Sequence, residues 1–149
     1  MPDETYEANV ISQPQVWQMF FDGASRSSPR GGIIAGVGVV LISPQNHVLP
    51  HAFSLTEPCS NNVAEYNALL IGLEVAKGLG ITNLEAYGDS KLIVNQVTGE
   101  YEVKNEDLIP YHKAVTQLAA LFEGLYIDYV PRLQNTHADA LAGLAATLA

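Results

Sequence analysis

A mixed α/β sheet with helices on its faces is the fold class this sequence predicts, and three observations carry the prediction. Apolar runs of strand length alternate with segments of helical periodicity in the order three strands, helix, strand, helices, strand, helix. Turn residues separate those runs, as Ser43-Pro44-Gln45-Asn46-His47 does between two of them. The chain has 149 residues, 48% of them hydrophobic and 15% charged, which suits one domain large enough to bury its own core.

Residues 1–15 hold Asp3, Glu4 and Glu7 with two prolines and no periodicity, and read as an acidic flexible lead-in or linker; residues 16–149 form the domain. Val16 to Asp22 reads as a strand, apolar on both faces except at Gln18, which suits a central position in the sheet. Ser25 to Gly32 is a flexible, locally basic turn, and Ala35–Ile42 with Val48–Leu55 forms a hairpin. From Asn62 to about Leu79 the pattern is helical, with Gly78 and Gly80 at its end. Leu84 to Tyr87 is a short strand that leads through Gly88-Asp89-Ser90 into a helix from Lys91 to about Val97. Asn105, Glu106 and Asp107 open a further helix, whose positions Leu108, His112, Val115, Leu118, Ala119 and Phe122 keep the helical spacing, with Gly124 as its stop. Leu125 to Val130 is the last strand and Thr136 to Leu148 an Ala/Leu-rich helix.

Composition bounds the function. The apolar stretches are too short to span a bilayer, and MPDETYEANV lacks the apolar centre of a signal peptide. A single cysteine, Cys59, excludes an internal disulfide framework. An intracellular protein, cytoplasmic or nuclear, not secreted and without a membrane partner, is the expectation. The net charge of −9 argues against a broad basic surface for nucleic acid. If such a chain acts on nucleic acid, metal ions must supply much of the positive charge.

Four carboxylates stand in four separate contexts: Asp22 in MFFDGAS, Glu65 in SNNVAEYNALL, Asp89 in EAYGDSKL and Asp139 in NTHADALAG. Each has a structural alternative. Asp22-Gly23 suits a turn, Asn62 and Glu65 a capping box, Asp89 the N-cap of a helix starting at Ser90, and Asp139 the first turn of a helix beside its dipole. Yet Glu65 falls on the same helical stripe as Leu69, Gly72, Leu73 and Ala76, opposite Asn67 and Glu74, so it points towards the core side. A carboxylate aimed there needs a partner, because burying it unpaired is costly. Asp22 and Asp89 fall at strand ends and Glu65 and Asp139 in helix first turns, so all four can gather on one rim of the sheet. As a set they read as a metal-dependent nuclease centre.

The phrases FFDGAS, NNVAEYNALLIGLEVA, YGDSKLIVNQVTGEY and VPRLQNTHADALAGLA resemble the ribonuclease H family, most of all the RNase H domains of plant gypsy-type long-terminal-repeat retrotransposon polyproteins. The likeness runs from about Val16 to the C-terminus. It implies an RNase H-like sheet of five strands, three antiparallel first and two parallel additions after, with helices on both faces. It implies hydrolysis of the RNA strand of an RNA/DNA hybrid, with Asp22, Glu65, Asp89 and Asp139 holding two Mg²⁺ or Mn²⁺ ions. One ion would activate water and the other steady the leaving 3′ oxygen, giving 5′-phosphate products. Hard oxygen ligands suit those metals, and no Cys/His cluster suggests zinc. A reverse transcriptase domain in the same polyprotein is the implied protein partner.

By position in the family, Ser60, Asn61 and Asn62 would meet sugar 2′-hydroxyls and bases in the minor groove, with helix capping as the equal alternative. Ser90 would bond phosphate or cap its helix. Arg26, Arg30 and Lys91 are offered as phosphate contacts, but surface charge explains each more simply. Asn135 braces the loop before the last helix. Two departures stand out from the best-known cellular members. Their basic helical handle is missing, since Ser90 to Gly124 holds only Lys91, Lys104 and Lys113. Their mobile histidine before the last Asp is also absent: the stretch reads YVPRLQN, where Arg132 or nothing takes its place. His137 reads as a first-turn surface residue, and His47, His51 and His112 as surface or core. Two rivals stay open. One is another nuclease of the superfamily, though Asp22-Gly23-Ala24 lacks a proofreading exonuclease's Asp-x-Glu and the integrase spacing is missing. The other is a non-catalytic RNase H-like structural or protein-binding module.

Overall fold

Five strands form one sheet in the order β3-β2-β1-β4-β5 in the computed structural model, which describes residues 15–148. The expected lead-in lies, Gln15 apart, outside the described residues. Strands β1 (Val16–Ser27), β2 (Ile33–Ile42) and β3 (Val48–Leu55) pair antiparallel, while β4 (Asn83–Gly88) and β5 (Gly124–Tyr129) add in parallel on the other side of β1. The predicted mixed sheet, with β1 at its centre, is the observed one. The β2–β3 hairpin closes as the turn residues require: Asn46 takes φ 67°, Asn46 N–H donates to Ser43 O at 2.9 Å, and Ser43 N–H donates to His47 O at 2.9 Å.

Between the strands run α1 (Asn61–Gly78), α2 (Lys91–Thr98), α3 (Ile109–Ala119) and α4 (Thr136–Leu148). Helices α1 to α3 cover one face. There Met19, Phe21, Val37, Val39 and Leu41 of the sheet meet Tyr66, Leu69, Leu73, Ile93 and Val115 in one buried cluster, each large side chain contributing about 1.5–3 kcal/mol by leaving water. Tyr66 and Gln96 are paired within that layer: Tyr66 Oη donates to Gln96 Oε1 at 2.6 Å, and His112 Nε2 lies 3.1 Å from Gln96 O, which ties α1, α2 and α3 together. Helix α4 covers the opposite face through buried Ala138, Ala142 and Ala146. It lies directly on β2, where a Cβ on Gly36 or Gly38 would collide with the backbone of Ala142. Among the described residues no helix is long and apolar enough to cross a membrane.

Several boundaries differ from the sequence expectation. Strand β1 does not end at Asp22 but continues to Ser27, because Ala24 to Ser27 keep pairing with Gly36 to Ile33. Asp22-Gly23 is therefore no turn. Gly23 is needed because α1 presses on it: a Cβ there would strike the backbone of Ala64 and Glu65. Helix α1 is capped by Ser60, whose Oγ accepts from Val63 N–H at 3.2 Å, and Asn62 lies inside its first turn. That shift moves Glu65 out of a capping box and into the second turn. Helix α3 starts at Ile109, because Asn105 is spent on a turn: its Oδ1 accepts from Asp107 N–H at 2.9 Å and its carbonyl from Leu108 N–H at 3.0 Å. It ends at Ala119, and Gly124 opens β5, with the amides of Glu123 and Gly124 both donating to Thr82 O.

Candidate active site

The four carboxylates do gather on one rim, by a route the sequence hid. Asp22 is mid-strand in β1, but the parallel neighbour β4 stops at Gly88, opposite Phe21. Asp22 is thus the first residue of β1 beyond that partner, and Asp89 follows directly where β4 ends. Glu65 enters from α1, held against Gly23 by their close backbone approach. Asp139 comes from the first turn of α4, with its N–H donating to Asn135 O at 3.0 Å.

Asp22, Glu65 and Asp89 each offer a carboxylate oxygen, and these atoms lie within 4.8 Å of one another. Asp22 is 4% exposed and Glu65 8%. Asp139 stands beside them in the same cleft, its side chain against that of Asp22 and its Oδ1 3.5 Å from Arg132 Nη2. Asn135, 1% exposed, ties the parts together: its Nδ2 donates to Phe21 O at 2.9 Å and to Asp89 Oδ2 at 3.1 Å. The cleft measures about 670 Å³ and is also lined by Asn61, Arg26 and Arg132.

Electrostatics make this arrangement costly without a cation. Burial first, then the contact with Glu65 and its charge, push the Asp22 carboxyl far above the ordinary carboxylate range. Burial also raises Glu65, to about 7, despite its hydrogen bond with Asp22. Glu65 Oε2 is buried with no hydrogen-bond partner. A buried carboxylate oxygen left over, among like charges and hard oxygen donors, fits a divalent cation, which would supply the missing partner and offset the repulsion.

The expected substrate residues divide. Asn61 lines the cleft, its Oδ1 accepting from Ser25 N–H at 3.1 Å. Ser60 is the cap of α1 and Asn62 sits half-buried in the first turn. Ser90 caps α2, its Oγ accepting from Ile93 N–H at 3.4 Å, so Asp89 is not the cap. Arg132 stands at the lip, its side chain 79% exposed. Arg26 also reaches the cleft, donating to Gly143 O at 3.3 Å. Arg30 is exposed in the turn after β1, and Lys91 lies over the Tyr129 ring, 5.1 Å from its centroid. His137 is exposed and is not part of the cleft; His51 Nδ1 lies 3.3 Å from Leu49 O, and His47 is an exposed turn residue. Ser25 was missed. Besides holding Asn61 it donates from Oγ to Cys59 O at 2.6 Å, which pins the loop before α1 to β1. Ending β1 at Asp22 concealed it.

Residues 20–145 match the family described as reverse transcriptase-like. The chain is 37% identical over 126 residues to ribonuclease HI of Halobacterium salinarum, covering 85% of this chain and 62% of that protein, less than two thirds of its length. The crystal structure of RNase H1 from that halophilic archaeon aligns at a TM-score of 0.82 and 36% identity, over 90% of this chain and 99% of the other. LC11-RNase H1, crystallised in complex with an RNA/DNA hybrid, aligns at 0.78 and 30% identity, over 89% and 97%. In fold, sequence and the meeting of its carboxylates, the chain belongs to the ribonuclease H family.

Proposed function

We propose that this domain is a metal-dependent endonuclease that hydrolyses the RNA strand of RNA/DNA hybrids. The observation that carries the reading is the convergence of Asp22, Glu65 and Asp89 around the buried, unpartnered Glu65 Oε2. Those three, with Asp139, would hold two Mg²⁺ or Mn²⁺ ions. Bound there, the ions would supply the charge that draws phosphate into an acidic cleft, lower the pKa of an attacking water and steady the leaving 3′ oxygen. The chain's own part is placement. Asn135 fixes the Asp89 carboxylate against β1, and the Glu65 helix is seated on Gly23.

Hydrogen-bonding capacity left after folding supports the substrate roles. Asn61 uses Oδ1 on Ser25 and keeps Nδ2 as a donor for a 2′-hydroxyl or base. Ser60 and Ser90 each accept one backbone N–H and keep a hydroxyl proton to give, Ser60 to a sugar and Ser90 to a phosphate. Asn62 follows Ser60 and Asn61 in the first turn of α1. Arg132 at the lip offers a guanidinium to phosphate.

The finer kinship, with gypsy-type retrotransposon polyproteins and a reverse transcriptase domain alongside, rests on the motif phrases and agrees with the reverse transcriptase-like family match. A hybrid substrate would place the work inside the cell, in cytoplasm or nucleus. The alternative is a non-catalytic RNase H-like module, favoured by the net charge of −9 and the missing handle.

Cleavage of a labelled hybrid in Mg²⁺ or Mn²⁺, compared with Asp89→Asn, separates the two. Metal-dependent cuts confined to RNA, reduced about 10³-fold or more in the variant, are expected from losing a ligand that organises several kcal/mol of charge stabilisation. Folded parent protein without activity would favour the module.

A further inference from the structure

A second hollow opens where β1 turns into β2. It measures about 580 Å³ and is lined by Arg26, Ser27, Ser28 and Arg30 of the turn and by Thr147 near the end of α4. Arg26 lines the carboxylate cleft as well, so the two hollows share a wall. We propose that this hollow is a phosphate subsite that grips the hybrid away from the cut, with Arg26 at the shared wall and Arg30 in the turn beyond it. The subsite deepens the reading of the cleft as a hybrid nuclease site and rests on it.

Taken singly, each arginine is surface charge; the fold places them together. Residues two apart in a strand share a face, so Arg26 stands on the same face of β1 as Asp22, the face that α4 covers. Its Nη2 donates to Gly143 O at 3.3 Å, Thr147 Oγ1 donates to the same carbonyl at 2.9 Å, and a Cβ on Gly143 would lie 3.0 Å from that guanidinium nitrogen. The guanidinium is therefore laid on α4 where a glycine leaves room, with most of its N–H groups still to give. Arg30 is set by its backbone. Its N–H donates to Ser28 Oγ at 3.3 Å, Ser28 N–H donates to Gly32 O at 2.9 Å, and Gly31 N–H donates to Ser28 O at 3.0 Å, in a turn that Gly31 and Gly32 complete at φ 88° and 85°. Neither arginine forms an ion pair among the described residues.

Charge gives the class of ligand. The chain has 7 Lys and Arg against 16 Asp and Glu, yet two of those cations meet in a hollow whose lining holds hydroxyls and no carboxylate. Other cations are occupied elsewhere: Lys91 lies over the Tyr129 ring and Lys77 Nζ donates to Leu121 O at 3.5 Å. Paired guanidiniums beside hydroxyl donors suit phosphate oxygens. Four residues of extended strand separate Asp22 from Arg26, about 13 Å at the usual strand rise. The phosphate met here is therefore another one along the backbone, not the one being cut, and its contact adds affinity without touching the reacting atoms.

Anisotropy titration of a labelled RNA/DNA hybrid across a NaCl series tests this, with the whole chain carrying Asp89→Asn so that binding is read without cleavage. Adding Arg30→Gln should weaken binding about three- to tenfold at low ionic strength and make the dependence of log K on log salt shallower by about 1, as loss of one phosphate contact requires. Arg30→Lys should keep the parent's salt dependence. Lys113→Gln makes the same change of charge at an exposed position of α3 and should alter neither quantity. One neutral methylphosphonate linkage, walked along each strand, should find a position away from the cut that costs the parent affinity and the Arg30→Gln chain none. With Asp89 restored, Arg30→Gln should raise KM by a similar factor and leave kcat unchanged. Equal affinity in Arg30→Gln and parent, an equal loss in Lys113→Gln, no such linkage, or a fall in kcat at unchanged KM would each overturn the subsite while leaving the nuclease reading intact. A parent that neither binds nor cleaves the hybrid would overturn that reading and the subsite together.

Discussion

The floor and the lip of the cleft solve the same electrostatic problem in different ways. On the floor, Asp22 and Glu65 are buried, fixed by the β1 backbone and the α1–Gly23 approach, and cannot turn towards water. Their mutual repulsion has two remedies, a proton or a cation, and burial raises the pKa of both in favour of the proton. At the lip, Asp139 is partly exposed and has the exposed Arg132 guanidinium beside it as well as Asp22. The difference teaches that a rigid, dehydrated carboxylate pair stores metal affinity as folding strain, while an exposed carboxylate contributes affinity it can give up cheaply.

The sharpest way to break the comparison is to neutralise the floor. Glu65→Gln should abolish hybrid cleavage by about 10³-fold or more, yet raise the melting temperature in EDTA at pH 8 by a few degrees, because a buried like charge is gone. A floor that is ordinary structure would lose stability instead. Next comes pH. Glu65 is raised in the folded state from 4.5 to about 7, and Asp22 is raised too, so the folded state holds protons that the unfolded chain has released. Stability without metal is therefore full below about pH 4 and falls as pH rises, through about 7 for Glu65 and on towards about 10 for Asp22, a loss on the order of a few kcal/mol. Denaturant titrations in EDTA should show the fall and added Mg²⁺ should flatten it; a rise with pH would sink the claim. A smaller effect is expected at the joint between floor and lip. Asn135→Ala should cost about 1–3 kcal/mol in urea unfolding, since it leaves Phe21 O unpaired, and should lower kcat as Asp89 loses its support. At the lip, Asn61→Ala should raise KM several-fold with little change in kcat and a stability loss within about 1 kcal/mol.

The legibility of the two regions follows the same division. Glu65 facing inward was readable because helical periodicity alone places it on the stripe of Leu69 and Leu73, and both prove fully buried. The Thr136–Leu148 helix and the Ser43 to His47 turn were readable for the same local reasons. Asp22 was misplaced at a strand end because Asp-Gly is a turn signal in isolation. What overrides it is long-range: the pairing of Ala24 to Ser27 with β2, and a helix 40 residues on that needs a glycine beneath it. Ser60 and Asn62 were exchangeable as caps by residue type, and the start of α1 was settled by how Ser25 pins the preceding loop.

By itself the sequence determined the chemistry available: four carboxylates, no zinc-type cluster, an acidic chain that must borrow positive charge, and the α/β pattern that sends them to one rim. Only the tertiary structure decided their division of labour. Distance, burial and pairing are properties of segments far apart in the chain, so that β4 stopping opposite Phe21 leaves Asp22 facing the cleft, Asn135 reaches back to Phe21 and Asp89, and Asp139 sits between Asp22 and Arg132.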